Sequence, residues 1–297
     1  MAPAEAPWTV RRALDWTVEY FTARDVEAPR RSAEWLLSEA TGLSRIELYA
    51  HHDRPLSPDE RGRLRELVKA RASGTPLQYV TGEVCFRHLV LAVRPGVFIP
   101  RPETEVLVDA VLEFLARRAG ESDLLVADLC TGSGAAGLSI AHEQARARVW
   151  ATELVDDTAD AARGNAERCG MGERVTVLTG DLFEPLPVEL RGRLDAVVSN
   201  PPYIPSDDMA DLPAAVSDHE PHVALDGGPD GLDVARRIAG EAQEWLRPDG
   251  LLAMELDTSR CNAMADELRG AGYRDVSVLN DLTGRDRIVV GRRSSGD

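Results

Sequence analysis

From residue 124 onward the hydrophobic period of this chain switches repeatedly between two and 3.6 residues, and that alternation restricts the possible folds most. Strand-like runs occupy 124–130, 148–154, 174–181, 194–200, 251–256 and 286–293, with helical patterns such as 156–170 and 231–250 between most of them. Strands that alternate with helices imply βαβ units, a parallel sheet and right-handed crossovers. Ligands of such sheets sit outside the carboxyl ends of the strands, at the point where strand order reverses.

The chain before residue 98 reads differently. Residues 8–72 carry helical patterns: Val10, Leu14, Trp16 to Val18 and Phe21 mark one helix, and a second ends at Gly42. A third starts with Ser57 as N-cap and Pro58 at the first helical position, turns Leu64, Leu67 and Val68 inward, and stops at Gly74. Residues 76–97 alternate apolar and polar and read as a β-hairpin linker. The expected organisation is a helical bundle over 1–75, a linker over 76–97 and a larger α/β domain over 98–297.

Composition excludes several classes. With 297 residues, 43% hydrophobic and 28% charged, the chain can bury a sizeable core. No run approaches the ~18 apolar residues of a membrane span, and the start lacks the apolar stretch of a secretory signal. Cys85, Cys130, Cys169 and Cys261 are scattered without a CxxC pair, so neither a disulfide framework nor a zinc site is expected, and a cytoplasmic location fits. A net charge of −16 disfavours direct binding of nucleic acid. The basic run at 61–71 is the solvated face of an amphipathic helix.

DLCTGSGAAG, residues 128–137, lies where the first strand of the alternating region meets a helix. Gly132 and Gly134 permit a tight turn that exposes bare backbone to a ligand. Glu153 ends the next strand, where a carboxylate can bind a ribose diol, and Asp181 follows the third. No P-loop is present and the dinucleotide glycine pattern is incomplete, which favours a phosphate-free nucleoside such as S-adenosyl-L-methionine.

VVSNPPYIP, residues 197–205, ends the fourth of these strands. Pro201 and Pro202 stop it, because neither has an N–H to donate. On its own this is a strand terminator. At the same sheet edge as Glu153 and Asp181 it becomes a rigid ledge: Asn200 Oδ1 and the Pro201 carbonyl can accept from one planar NH2 group, and Tyr203 offers an aromatic wall. Such a ledge aims a weakly nucleophilic NH2 at a methyl sulfonium without a strong base. Tyr203 is the poorer candidate base, its ordinary pKa being ~10.

The segments at 74–86, 98–105 (FIPRPETE), 128–134, 199–205, 219–232 and 284–293 together resemble the release factor glutamine N5-methyltransferase family, over about residues 8–292. The resemblance implies a class I (Rossmann-like) methyltransferase sheet of seven strands, S-adenosyl-L-methionine as cofactor, and the Gly-Gly-Gln loop of a peptide-chain release factor as substrate. It implies that Asp128, Cys130, Thr131, Gly132, Ser133, Gly134, Glu153, Asp181, Leu182 and Asn200 line the cofactor. It places Asn200, Pro201, Pro202 and Tyr203 at the reacting amide and Glu220 in the loop that orders the substrate; Arg101 is a further candidate on the substrate side.

Two departures stand out. Cys130 occupies a position where the family usually has glycine; its Cβ is tolerable if φ is negative there and penalised if positive. MELDTSRC, 254–261, replaces a Glu-Ile-Gly segment. These leave open a small amino-acid-like amide or guanidine as acceptor, adenine in nucleic acid, or a catalytically silent binding module. Asp218, His219, Glu220 and His222 read as a hydrogen-bonded loop in preference to a metal site. Arg101 and Glu103 either clamp the site or cap a helix.

Overall fold

Strand–helix alternation builds a seven-stranded sheet in the computed structural model, which describes residues 7–118, 120 and 122–295. In chain order the parallel strands are β3 (Leu124–Leu129), β4 (Ala147–Glu153), β5 (Val175–Thr179), β6 (Leu194–Ser199) and β7 (Leu246–Glu255). The last two strands are β8 (Arg274–Asn280) and β9 (Asp286–Arg292), and the spatial order is β5-β4-β3-β6-β7-β9-β8. β4 and β6 both pair in parallel with β3, so strand order reverses between β3 and β6. β9 enters antiparallel beside β7.

Side chains of period two divide the core between the sheet's faces. Val126, Ala196, Val198, Ala253 and Ile288 pack against α6 (Thr104–Ala116), α7 (Ala135–Glu143) and α8 (Asp156–Arg168). Their neighbours Ala127, Val197, Leu252, Met254 and Val289 pack against α10 (Asp233–Trp245) and α11 (Cys261–Gly270). All six residues of β6 are buried, as befits a central strand covered on both faces. A single helical turn, α9 (Ala214–Ser217), sits in the long connection after β6.

The described residues divide between Glu83 and Val84 into two compact units. The first contains α1 (Val10–Thr22), α2 (Pro29–Thr41), α3 (Arg45–Ala50), α4 (Pro58–Ala72) and α5 (Leu77–Thr81) around Phe21, Leu36, Leu37 and Val68. Ser44–Glu47 and Ser57–Glu60 each close a capping box, and Gly42 ends α2 in the left-handed region at φ 70°.

Three expectations need correction. Residues 77–81 are helical, so the hairpin is shorter than 76–97: β1 (Glu83–Phe86) and β2 (Leu89–Ala92). The helix expected to 250 stops at Trp245, and β7 begins five residues before the apolar run that announced it. β8 had no counterpart among the expected strands. No helix among the described residues is long and apolar enough to cross a membrane.

Candidate active site

The register pairs Leu129 of β3 with Ser199 of β6, which sets the glycine turn and the Asn-Pro-Pro ledge side by side at the reversal of strand order. Cys130 leaves β3 with φ 56°, so of the two cases for its Cβ the strained one holds. Gly132 follows at φ 58°, and a Cβ there would meet nothing closer than Phe98 Cβ at 4.0 Å, so its backbone is bare toward the open space. Gly134, at φ 86°, has the opposite reason to lack a side chain: a Cβ would lie 2.9 Å from Leu138 as α7 begins.

Asp128 braces this turn from beneath. Its Oδ2 accepts from Thr131 Oγ1 at 2.5 Å and from the Gly137 N–H at 2.9 Å. Burial pushes its pKa up to about 6 against these two bonds, which favour the charged form. Burial likewise pushes the Cys130 thiol up to about 12, which keeps it un-ionised.

Glu153 closes β4 and reaches back to the turn: Oε2 accepts from the Gly132 N–H at 3.0 Å, and Oε1 from the Val155 N–H at 3.2 Å. Each carboxylate oxygen keeps a further lone pair for the open side. Burial raises the Glu153 pKa, and the backbone donors act against that rise. Asp181 lies two residues beyond β5 and is paired with Arg237 of α10 at 2.7 Å.

The ledge is held from two sides. Asn200 Nδ2 donates to Thr104 Oγ1 at 3.4 Å, leaving Oδ1 as its unengaged acceptor. Ile204 and Gly227 exchange backbone bonds with the returning loop, Ile204 N to Leu225 O at 2.9 Å and Gly227 N to Ile204 O at 2.8 Å. A Cβ on Gly227 would sit 2.7 Å from the Pro202 carbonyl, and one on Gly231 2.3 Å from that of Tyr203. Bare backbone is therefore what lets this loop press on the ledge. The Tyr203 hydroxyl accepts from Arg287 Nη2 at 3.0 Å; burial first and Glu255 second raise its pKa, so the phenol keeps its proton.

These groups surround one cavity of about 420 Å³, within the usual range for small-ligand sites. Asp128, Cys130 to Ser133, Glu153, Asp181, Leu182 and Asn200 to Tyr203 all line it. Gly134 does not, and neither do Arg101 and Glu220, which pair with each other at the head of the loop whose residues Pro221 to Asp226 form a wall. Glu103 bonds Arg285 at 3.2 Å, its side chain making no helix cap. His222 lines the cavity, and the described residues hold no group of three or more potential metal ligands.

Sequence reasoning missed Phe98, Thr104, Leu154 and Arg237 as lining residues. FIPRPETE held the signal for the first two. Nothing local marks Arg237, 56 residues from its partner Asp181.

Chemically the lining is acidic. Arg237 is the one guanidinium among the described lining residues, and it is engaged. Such a site has no cation to spare for a pyrophosphate but suits a phosphate-free nucleoside that itself carries positive charge.

Residues 12–82 match the PrmC N-terminal domain model, and residues 90–214 the methyltransferase small domain model. A release factor glutamine methyltransferase of Moorella thermoacetica is 45% identical over 287 residues, covering 96% of this chain and 99% of that protein. One of Geobacter sulfurreducens is 42% identical over 285 residues, covering 96% and 97%. Among solved structures, the hMettl16 catalytic domain in complex with a 3'UTR hairpin aligns over 95% of this chain and 92% of its own, with TM-score 0.56 and 16% identity. The human methyltransferase 10 domain containing protein aligns over 68% and 86%, with TM-score 0.51 and 19% identity. These two likenesses speak for the class I methyltransferase fold.

Proposed function

We propose a protein-directed methyl transfer for this chain, which belongs to the release factor glutamine methyltransferase family: methylation of the side-chain amide nitrogen of a glutamine in a peptide-chain release factor. The observation that carries the reading is the Asn200 amide. Nδ2 gives one of its two hydrogens to Thr104, and Oδ1, which no described residue engages, is placed to accept from a substrate NH2 group.

S-adenosyl-L-methionine fits the acidic, phosphate-free lining and, when bound, supplies a methyl group on a sulfonium. Glu153 would hold its ribose, the Cys130–Gly134 turn its amino-acid arm, and the Asp181–Leu182 corner its base. The rest of the chemistry belongs to the chain. Asn200 Oδ1 and the Pro201 carbonyl accept the two amide hydrogens, so the nitrogen is held at a fixed distance and angle. Tyr203 packs the amide plane, and its protonated phenol leaves positioning and fixed dipoles to lower the barrier. The Gly-Gly-Gln loop suits such a ledge, since glycines let the substrate backbone approach closely. We assign the N-terminal unit, on the same family premise, to recognition of the protein substrate.

The test is methyl-labelled S-adenosyl-L-methionine offered with a release factor, a duplex and a single-stranded nucleic acid, and free amino-acid amides in separate reactions. Label should appear on one glutamine of the release factor, located by peptide mass spectrometry. Label on nucleic acid, or none on the release factor, overturns the reading.

A further inference from the structure

Arg237 is the one guanidinium among the described residues that line the cavity, and the transfer described above does not use it. It reaches the site from α10. Val234, three residues earlier and therefore on the same helix face, lines the cavity as well. Asp181 and Leu182, just beyond β5, line it from the sheet, and Arg237 Nη2 donates to Asp181 Oδ2 at 2.7 Å. One bond thus ties the end of an edge strand to a helix 56 residues downstream.

Stability does not account for this bond. The two side chains keep 50% and 36% of their surface exposed, and an ion pair so open to water contributes little. Charge does not account for it either, since Asp181 cancels the cation that a positively charged ligand would avoid. What the pair retains is shape. Guanidinium N–H groups lie in one plane, so a carboxylate bonded to one of them sits at its edge and covers neither face. A flat cationic face of this kind stacks on an aromatic ring. Buried Leu182 and half-buried Val234 make this end of the cavity apolar around it, as suits a purine.

We propose that Arg237 is a cofactor-binding residue: seated by Asp181, its guanidinium plane stacks on the purine of S-adenosyl-L-methionine. The base is then gripped by two parts of the chain that the sequence keeps far apart, the end of β5 at its polar edge and α10 at its face. The proposal rests on the cofactor reading above and is independent of the glutamine reading.

Calorimetry with S-adenosyl-L-methionine on three full-length variants tests it: Arg237→Ala, Arg237→Lys and Arg236→Ala. Arg237→Ala should weaken the Kd about fivefold to thirtyfold, the range of one guanidinium stacked on an aromatic ring. Arg237→Lys should weaken it by at least about fivefold, because an ammonium can pair with Asp181 but has no plane to offer. Arg236 pairs with Asp230 and Glu267 and does not line the cavity, so Arg236→Ala should leave the Kd within about twofold of wild type. The unliganded melting temperature of Arg237→Ala should stay within about 1 °C of wild type, since so exposed a pair holds little of the fold. A wild-type Kd in Arg237→Ala or in Arg237→Lys, an equal loss in Arg236→Ala, or an unliganded melting temperature that drops by several degrees in Arg237→Ala would each overturn the proposal. If the wild type itself does not bind S-adenosyl-L-methionine, the cofactor reading falls and this proposal with it. A wild type that binds the cofactor and leaves the release factor unmethylated removes the glutamine reading alone, and the comparison of Kd values still decides the role of Arg237.

Discussion

Replacing Glu153 by glutamine tests the cofactor half of the site most directly. The carboxylate bonds two backbone N–H groups, of Gly132 and Val155, and turns its remaining lone pairs to the cavity. Glutamine keeps one oxygen and places an NH2 where the other stood. One charge-assisted bond to a ribose hydroxyl is lost, worth about 2 kcal/mol, and a donor now faces a donor, at about 1 kcal/mol more. Their sum, about 3 kcal/mol, corresponds to roughly a 150-fold weaker Kd. The unliganded protein loses one bond to its own backbone, about 1 kcal/mol, which lowers the melting temperature by roughly 2 °C in a chain of this size. Calorimetry with S-adenosyl-L-methionine gives the first quantity and a thermal melt the second. A Kd within about threefold of wild type would refute the ribose assignment. A melting temperature lowered by far more than roughly 2 °C would show that Glu153 serves the fold in preference to the ligand.

Asn200→Ala should cut turnover by roughly a hundred- to a thousandfold with cofactor affinity nearly intact, and Tyr203→Phe should cost less than Tyr203→Ala. Phe and Ala losses of equal size, with wild-type activity climbing toward high pH, would make the phenol a base after all. Cys130→Gly relieves about 1–2 kcal/mol of left-handed strain but adds about 0.5–1 kcal/mol of unfolded-state entropy and gives up some burial. Its melting temperature should therefore shift by only a few degrees, as followed by calorimetric melting, and a large gain in cofactor affinity would show that the ligand must reshape the turn. Asp128 takes up its proton at about pH 6 in the folded chain against an ordinary 3.8, so its contribution to stability is full below 3.8 and lost as pH rises through about 6. The melting temperature of wild type relative to Asp128→Asn should accordingly fall across that window; a flat difference would place the burial effect elsewhere.

Period and punctuation made the sheet legible, because β3, β4, β6 and β7 are interior strands whose runs end in glycine, acid or proline, and the edge strand β5 still alternates from Val175 to Val177 before Gly180 and Asp181 stop it. β8 escaped for the converse reason. It is an edge strand, half-exposed along its length, with only Val276, Val278 and Leu279 to suggest a period. The 77–81 turn was hidden by short-range alternation that Pro76 and Gly82 convert into one helical turn. Turn and ledge residues could be read because each lies at a strand end, where topology alone decides its neighbours. Arg101 with Glu220, Arg237 with Asp181 and Thr104 with Asn200 could not, since partners 119, 56 and 96 residues apart leave no mark on local pattern. The backbone at Cys130 was beyond reach for another reason: residue type constrains φ only statistically, and a cysteine does not advertise a left-handed turn.

β9 runs against its neighbours, and this reversal does more than complete the sheet. Parallel strands bring only their carboxyl ends to the crevice, whereas an antiparallel strand brings its beginning, and Arg287 is the second residue of β9. The C-terminal hairpin thus delivers a cation to an edge that the upstream strands furnish with acids and amides. A chain cut short after α11 would keep in its sequence the glycine turn, Glu153 and the Asn-Pro-Pro ledge, and would lose the 284–293 segment. It would lack the guanidinium beneath the phenol together with Ile288 and Val289, which pack into the core on opposite faces of the sheet, so one hairpin both closes the fold and furnishes the acceptor side of the crevice.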